Sequence, residues 1–190
     1  MPYLRVGRQK VPFNPMGARR IGVYDLPMPP INWGDNDDLK NNIWAQPFPV
    51  VIPTTYDTIA FWLSALEAGT SARLGIYDDV NGVPTNLLVD AGTVATVATG
   101  WKAVAIAASL SIGEPSLIYL AILTDWTGTA RIAANDAYSQ QWYRVGGADG
   151  KNILGCCSAA QAYGALPAVF PAPTWSAPML AMGLKIKSIP

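Results

Sequence analysis

From about residue 43 onward, the chain is a succession of short segments, and in several of them apolar and other residues alternate. Residues 58–66, 72–77 and 180–189 show this pattern most clearly. A period of two places alternate side chains on one face of a β-strand, whereas an amphipathic helix requires a period of about 3.6. Turn-forming pairs such as Asn81-Gly82 and Gly146-Gly147 separate the segments. This pattern restricts the chain to an all-β fold.

The number and spacing of these segments indicate how the strands are arranged. About eight strands with turn signals between them are typical of a β-sandwich, and we expect a jelly-roll-like arrangement. Residues 117–123, LIYLAIL, are apolar on both faces and predict a central strand that is buried between two layers. Trp62 and Trp101 fall inside alternating strands, and we expect both indoles to belong to the core.

The charge of the chain argues against several classes of partner. Charged residues make up 14% of the sequence, against ~25% in typical soluble domains, and 13 basic residues balance 13 acidic ones. This neutrality argues against a nucleic-acid-binding protein and against a polybasic protein of the membrane surface. The longest apolar stretch, residues 103–123, contains Gly113, Glu114 and Pro115 and does not predict a membrane span. Low charge with seven tryptophans and eight tyrosines favours a surface that is buried in an assembly.

Residue types that carry out catalysis are scarce. The sequence contains no histidine, the commonest general base and metal ligand, and its two glutamates, Glu67 and Glu114, are placed in turns. No nucleophile motif or phosphate-binding motif is present. The two cysteines, Cys156 and Cys157, are adjacent, and we expect them to be buried as small apolar residues. We therefore predict a protein that is not an enzyme and that uses no cofactor.

Two acidic loops have the composition of a calcium site. One contains Asp78, Asp79 and Asn81, and the other is the sequence GDNDD at residues 34–38. Neither has the EF-hand spacing, and calcium requires roughly six to eight oxygen ligands. Turn chemistry accounts for the first loop, because aspartates bind local backbone amides and Asn-Gly adopts positive φ readily. We predict no metal site, and the sequence leaves open whether the first loop holds a cation.

Residues 1–42 differ from the rest of the sequence. Prolines recur through them, and no strand or helix period lasts for more than a few positions. Such a segment is typical of an extended arm that becomes ordered on a partner. We predict an arm at 1–42 and a β-sandwich domain at 43–190, and the alternative is a loosely packed extension of the same domain. The residues expected to dock the arm are Arg5, Arg8, Lys10, Phe13, Arg19 and Arg20.

A polar and aromatic stretch at residues 135–144, NDAYSQQWYR, has the composition of a binding surface. Aromatic rings supply contact area there, and the amide and charged groups can orient a sugar or a protein ligand. The alternative is that Trp142 and Tyr143 belong to the core and close the open end of the sandwich. The residues predicted to bind ligand are Tyr138, Gln140, Gln141, Trp142, Tyr143 and Arg144.

Four stretches of the sequence succeed one another in the order of a known domain. They are PFPVVIPTTYDTIAFWL (47–63), RLGIYDDVNGVPTNLLVDAGTV (73–94), TGWKAVAI (99–106) and LIYLAIL (117–123). Together they resemble a β-sandwich domain that recurs in virion proteins of tailed bacteriophages, in particular tail-fibre and minor structural proteins. The resemblance extends over residues 43–123 and a part of the chain beyond residue 123, and it brings no catalytic residues with it.

The resemblance implies a non-enzymatic component of the phage virion. Such a protein is a tail-fibre or baseplate component, or a head decoration or fibre component. It is expected to bind other virion proteins through the arm, to form a homo-oligomer with a trimer favoured, and to bind a host-surface glycan through its loops. The alternative is a free carbohydrate-binding module, which is expected to be a monomer with an exposed aromatic strip. A glycan-degrading enzyme would require paired carboxylates across a groove.

Overall fold

The computed structural model describes residues 3–6, 9–12, 21–26, 33–36, 39–135, 145–146, 152–153, 156–175 and 179–190. All regular elements in these segments are β-strands, and none of the segments forms a helix that could cross a membrane. The strands, numbered in chain order, are β1 (Tyr3–Val6), β2 (Gln9–Pro12), β3 (Tyr24–Asp25), β4 (Trp33–Asn36), β5 (Asn42–Val50), β6 (Thr54–Ala65), β7 (Ser71–Val80), β8 (Val83–Ala95), β9 (Gly100–Ile112), β10 (Ser116–Thr124), β11 (Arg131–Asn135), β12 (Val145–Gly146), β13 (Asn152–Ile153), β14 (Cys157–Ala160), β15 (Thr174–Trp175), β16 (Met179–Leu180) and β17 (Met182–Ser188).

The first sheet has six strands in the order β15-β14-β5-β10-β7-β8, and all of its pairs are antiparallel. In β10, Leu120 lies opposite Gln46 of β5 on one side and Ile76 of β7 on the other. β7 and β8 are joined by Asn81 and Gly82, which have φ angles of 56° and 80°. The turn predicted from the Asn-Gly pair is therefore confirmed, and it sets the register of these two strands.

β6 organises the second sheet. Along one edge it pairs with β9, from Thr54 opposite Ile112 to Leu63 opposite Gly100. Along the other edge it pairs with β17 and then with β11. β11 also pairs with β4 and β16, and β17 pairs with β3. Two segments of residues 1–42, namely β3 and β4, therefore belong to this sheet.

The two sheets face each other across one apolar core. Phe48, Leu74 and Ile76 enter it from the first sheet, and Ile59 and Phe61 enter it from the second. All five side chains are fully buried, and burying a side chain of this size contributes roughly 1.5–3 kcal/mol to stability. The all-β sandwich predicted from the sequence is confirmed. Eight of the described strands have five residues or more, in agreement with the predicted number, while the jelly-roll-like arrangement stays a prediction.

The outer face of the first sheet is covered by residues 161–173, which we call the covering segment. Its Leu166 and Phe170 pack on a second apolar cluster that includes Tyr77 and Tyr119. The rings of Tyr77 and Phe170 meet edge to face with centroids 5.1 Å apart, and Tyr77 Oη donates a hydrogen bond to the Pro167 carbonyl at 2.8 Å. β10 is therefore buried on both faces, as the sequence of residues 117–123 predicted.

Candidate binding surface

Three aromatic side chains lie together on the outer face of the second sheet. Trp62 of β6 and Trp101 of β9 are directly opposite each other, with ring centroids 5.6 Å apart and ring planes at 90°. Tyr24 of β3 stacks on Trp101 at 5.8 Å, and the two ring planes differ by 4°. Trp62 is 40% exposed and Trp101 is 41% exposed. We call these three residues the aromatic cluster.

The expectation that Trp62 and Trp101 belong to the core is wrong. Trp62 stands between Phe61 and Leu63, which are both fully buried, so the alternation of the strand turns Trp62 outward. Trp101 is its direct partner and lies on the same face of the sheet. The alternation of residues 58–66 already indicated that Trp62 lies on the face opposite to Phe61 and Leu63. Apolar composition argued for burial, but the parity of a position within a strand decides which face a side chain occupies.

Small residues make room for the aromatic rings. The order β9-β6-β17-β3 separates Trp101 from Tyr24 by two strands, so the two rings extend towards each other over β6 and β17. Ala60 of β6 and Gly183 of β17 are opposite each other on these intervening strands. Ile59 and Phe61, the neighbours of Ala60, point into the core, so Ala60 lies on the outer face of the sheet. Ala60 is nevertheless fully buried. The aromatic cluster thus covers a floor of small side chains.

β3 is held against β17 in a way that positions Tyr24. Tyr56 Oη donates a hydrogen bond to Oδ2 of Asp25 at 3.1 Å, and Asp25 is only 5% exposed. Gly183 allows the two strands to approach closely, because a Cβ at this position would lie 2.5 Å from the Asp25 carbonyl oxygen and 2.7 Å from Cδ2 of Leu26. The buried hydrogen bond and the close approach together fix Tyr24 beside Trp101.

Asp57 and Lys185 lie beside Tyr24 at the rim of the aromatic cluster. Burial raises the pKa of the Tyr24 hydroxyl, and the negative charge of Asp57 raises the same pKa further. Asp57 Oδ1 accepts a hydrogen bond from Thr58 Oγ1 at 2.8 Å. Lys185 is opposite both Tyr24 and Thr58 in the strand register, and its side chain is partly exposed. Groups of both charge signs therefore lie beside Tyr24.

The residues that the sequence predicted to bind ligand, Tyr138, Gln140, Gln141, Trp142, Tyr143 and Arg144, lie outside the described residues. The same is true of four of the predicted docking residues of the arm, Arg8, Phe13, Arg19 and Arg20. The other two, Arg5 and Lys10, are opposite each other in the register of β1 and β2. These two strands pair only with each other among the strands that the structure describes. Both sets of residues stay predictions.

The acidic turn between β7 and β8 is held by its own side chains, as its sequence predicted. Asp78 accepts hydrogen bonds from the backbone N–H of Asn86 at 2.6 Å and from the Asn86 side-chain amide at 2.9 Å. Asp79 accepts one from the Gly82 N–H at 3.4 Å, and Tyr119 Oη donates to the Gly82 carbonyl at 2.7 Å. Within the described segments, no three His, Cys, Asp or Glu side chains are grouped so that they could hold a metal ion.

The Glu67 carboxylate joins two loops at one end of the sandwich. It accepts hydrogen bonds from the backbone N–H groups of Thr127, Gly128, Thr129 and Ala130 at 3.1–3.3 Å, and from the Thr127 hydroxyl. The Thr127 hydroxyl and these backbone donors lower the pKa of Glu67 to about 2. These donors all belong to residues 127–130, so the carboxylate ties residue 67 to that loop.

Both cysteines are free thiols with no exposed surface, as their sequence predicted. Burial raises the pKa of Cys156, and it raises the pKa of Cys157 to about 12. A thiol with a raised pKa holds little thiolate at neutral pH, and the thiolate is the reactive form. The two side chains therefore act as small apolar residues of the two clusters that they occupy.

The described residues define a β-sandwich that exposes a fixed group of aromatic rings on one of its outer faces, which is a surface suited to contact. No protein-family model, curated protein or solved structure matches the chain.

Proposed function

We propose that this chain is a non-enzymatic structural protein of a tailed-phage virion that acts by binding. In this proposal it is a tail-fibre or baseplate component, or a head decoration or fibre component. The proposal begins from the sequence stretches that resemble such proteins. The longest of them, residues 73–94, forms the paired strands β7 and β8 and their acidic turn. The stretch therefore forms a structural unit of the sandwich.

The observation that carries the proposal is the exposure of the aromatic cluster. Trp62 and Trp101 keep about two fifths of their surface in contact with solvent, and they are held in fixed positions by each other and by Tyr24. Large rings that are fixed and exposed supply contact area at a low cost in side-chain entropy, and they are enriched at binding surfaces. The function that this geometry supports best is contact with another molecule.

The N-terminal hairpin supports a second contact, with other virion proteins. An isolated two-stranded hairpin is marginally stable in water, and β1 and β2 have no other partner among the described strands. A neighbouring subunit that packs on the hairpin would stabilise it. In the proposal this contact uses Arg5, Arg8, Lys10, Phe13, Arg19 and Arg20. It joins copies of the chain into a homo-oligomer, with a trimer favoured.

The second candidate function is a free carbohydrate-binding module. The aromatic cluster favours it as well, because such a module needs exposed rings and no neighbouring subunits. The two functions differ in what the arm does. In a virion protein the arm makes contacts that hold subunits together, whereas in a free module the arm has no part in binding.

Light scattering of the purified chain tests the proposed function. We expect the full chain to have the molar mass of an oligomer, and we expect a chain that lacks residues 1–12 to have a lower molar mass. The deletion removes only β1 and β2, which pair with neither sheet in the described structure, so the sandwich is expected to stay folded. If the full chain and the chain that lacks residues 1–12 are both monomers, the result contradicts the virion proposal and favours the free module.

A further inference from the structure

We propose that the aromatic cluster binds a neutral oligosaccharide and that Trp62, Trp101 and Tyr24 are its contact residues. This inference deepens the proposed function, on which it rests, because it assigns a ligand class to the surface through which the protein makes contact. It also places a glycan site on the sheet, in addition to the loop residues 138–144 for which the sequence predicted one.

The arrangement of the rings suits the shape of a sugar chain. Tyr24 and Trp101 have nearly parallel planes and centroids 5.8 Å apart, so the two rings are stacked with an offset and succeed one another like steps. Trp62 stands perpendicular to Trp101 and forms a wall beside these steps. A pyranose ring has a flat face of C–H groups that packs on an aromatic ring. Ring positions fixed in advance reduce the entropy lost when such a ligand binds.

The charges around the cluster point to a neutral ligand with many hydroxyl groups. Asp57 acts on the Tyr24 hydroxyl, and Lys185 is opposite Tyr24 in the register of β17 and β3, so groups of both charge signs lie beside the cluster rather than a patch of one sign. A carboxylate and an ammonium group supply an acceptor and donors for sugar hydroxyls, while the Tyr24 hydroxyl can do either. A few polar groups around an apolar platform give orientation to a ligand that the rings hold by contact.

The size of the surface favours a sugar over a protein partner. A stable protein interface buries roughly 800 Å² on each side, which requires some 20–30 residues. The cluster consists of three rings, and beside it the face has small side chains such as Ala103 and Ala105, which are opposite Ala60 and Thr58. Three rings above a floor of small side chains offer a contact area that matches the size of a few sugar units. A protein partner is therefore the alternative outcome of the test.

Isothermal titration calorimetry with four soluble hexasaccharides tests the inference. The probes are cellohexaose, chitohexaose, maltohexaose and mannohexaose, and the full chain is used throughout. We expect at least one probe to bind, and we expect Trp62→Ala and Trp101→Ala each to weaken that binding about tenfold or more, which corresponds to about 1.4 kcal/mol. Trp101→Phe keeps a ring on the platform and is expected to lose less affinity than Trp101→Ala.

Tyr163→Ala is the matched control, because Tyr163 is an aromatic residue of the covering segment with 36% exposure and it interacts with Ser71 and Arg73 of β7, in the other sheet. It is expected to bind sugar as the wild type does. Circular dichroism is used to show that each variant is folded, and light scattering gives its oligomeric state. The inference is overturned if the wild type binds none of the probes at millimolar concentration, or if folded cluster variants bind as tightly as the wild type.

The molar mass separates failure of this inference from failure of the proposed function. If the wild type is an oligomer but binds no sugar, the sugar assignment fails and the proposed function stands. If Trp62→Ala and Trp101→Ala convert an oligomer into a monomer while the wild type binds no probe, the cluster is a protein interface and the sugar assignment is overturned. If sugar binding depends on the cluster in a chain that is a monomer, this inference holds and the virion proposal fails.

Discussion

Trp62 and Trp101 are directly opposite each other across β6 and β9, and their rings meet at a right angle with centroids 5.6 Å apart. Each ring limits the rotation of the other, although both are substantially exposed. An edge-to-face pair of this kind stabilises a fold by roughly 0.5–1.5 kcal/mol beyond the area that it buries. The pair therefore adds stability and at the same time keeps the contact surface rigid.

The first prediction concerns the coupling between these two residues. We expect the free energies of unfolding of Trp62→Ala, Trp101→Ala and the double variant to be non-additive by about 0.5–1.5 kcal/mol. Urea unfolding monitored by circular dichroism measures all four proteins of the cycle. Additive effects within about 0.3 kcal/mol would show that the two rings do not support each other.

The second prediction concerns the close approach of β3 to β17. We expect Gly183→Ala to destabilise the protein by about 1–3 kcal/mol, because the new Cβ collides with the Asp25 carbonyl and with Leu26. Gly113→Ala is the matched control, since a Cβ at Gly113 meets nothing within 4 Å. Urea unfolding measures the stability of both variants. Near-ultraviolet circular dichroism is expected to change for Gly183→Ala, because Tyr24 moves away from Trp101. Equal stability of the two variants would contradict the close approach.

The third prediction concerns the covering segment. Phe170 is 6% exposed and packs edge to face on Tyr77, so we expect Phe170→Ala to cost about 3–5 kcal/mol of unfolding free energy. Val169→Ala is the neighbouring control, because Val169 is 60% exposed, and we expect it to change stability by less than about 0.5 kcal/mol. Thermal and urea unfolding give both values. A small effect of Phe170→Ala would mean that the covering segment does not pack on β7.

The fourth prediction concerns pH. The pKa of Glu67 is lowered in the folded protein from its ordinary value of 4.5 to about 2. A lowered pKa means that the carboxylate stabilises the fold at pH values above 4.5, and that this contribution is lost as the pH falls towards about 2. We expect Glu67→Gln to be less stable than the wild type at neutral pH, and we expect the difference to shrink across this window.

The control for the pH prediction is Glu114→Gln, which removes one carboxylate from an exposed turn. Urea midpoints measured at several pH values give the stability difference between each variant and the wild type. A difference for Glu67→Gln that stays constant from neutral pH down to pH 2 would contradict the role of its charge in joining the two loops.

Sequence patterns predicted much of the fold, because the rules that relate sequence to strands and turns are local. The period of two predicted the strands β6, β7 and β17, a run that is apolar on both faces predicted β10, and Asn81-Gly82 predicted a turn, since each feature depends on neighbouring residues alone. The covering segment could not be predicted in this way. Its position depends on the contacts of Leu166 and Phe170 with the cluster around Tyr77, some 90 residues away in the chain, and no local rule encodes those contacts.

The candidate surface was missed for a different reason. The alternation of β6 placed Trp62 on the face opposite to Phe61 and Leu63, but the apolar character of tryptophan favoured the core interpretation. Tyr24 gave no periodic signal, because β3 has two residues and is recruited to the sheet by β17 and by the buried contact between Asp25 and Tyr56. Assembly of the aromatic cluster is a tertiary event that brings together three distant parts of the chain.

The most direct test of binding by the aromatic cluster is to record the tryptophan indole N–H signals by nuclear magnetic resonance while each of the four hexasaccharides is added. Trp44 and Trp126 are nearly fully buried and serve as internal references. We expect the signals of Trp62 and Trp101 to shift with the ligand and those of Trp44 and Trp126 to stay unchanged. Signals of Trp62 and Trp101 that stay fixed with every probe would contradict sugar binding by the aromatic cluster.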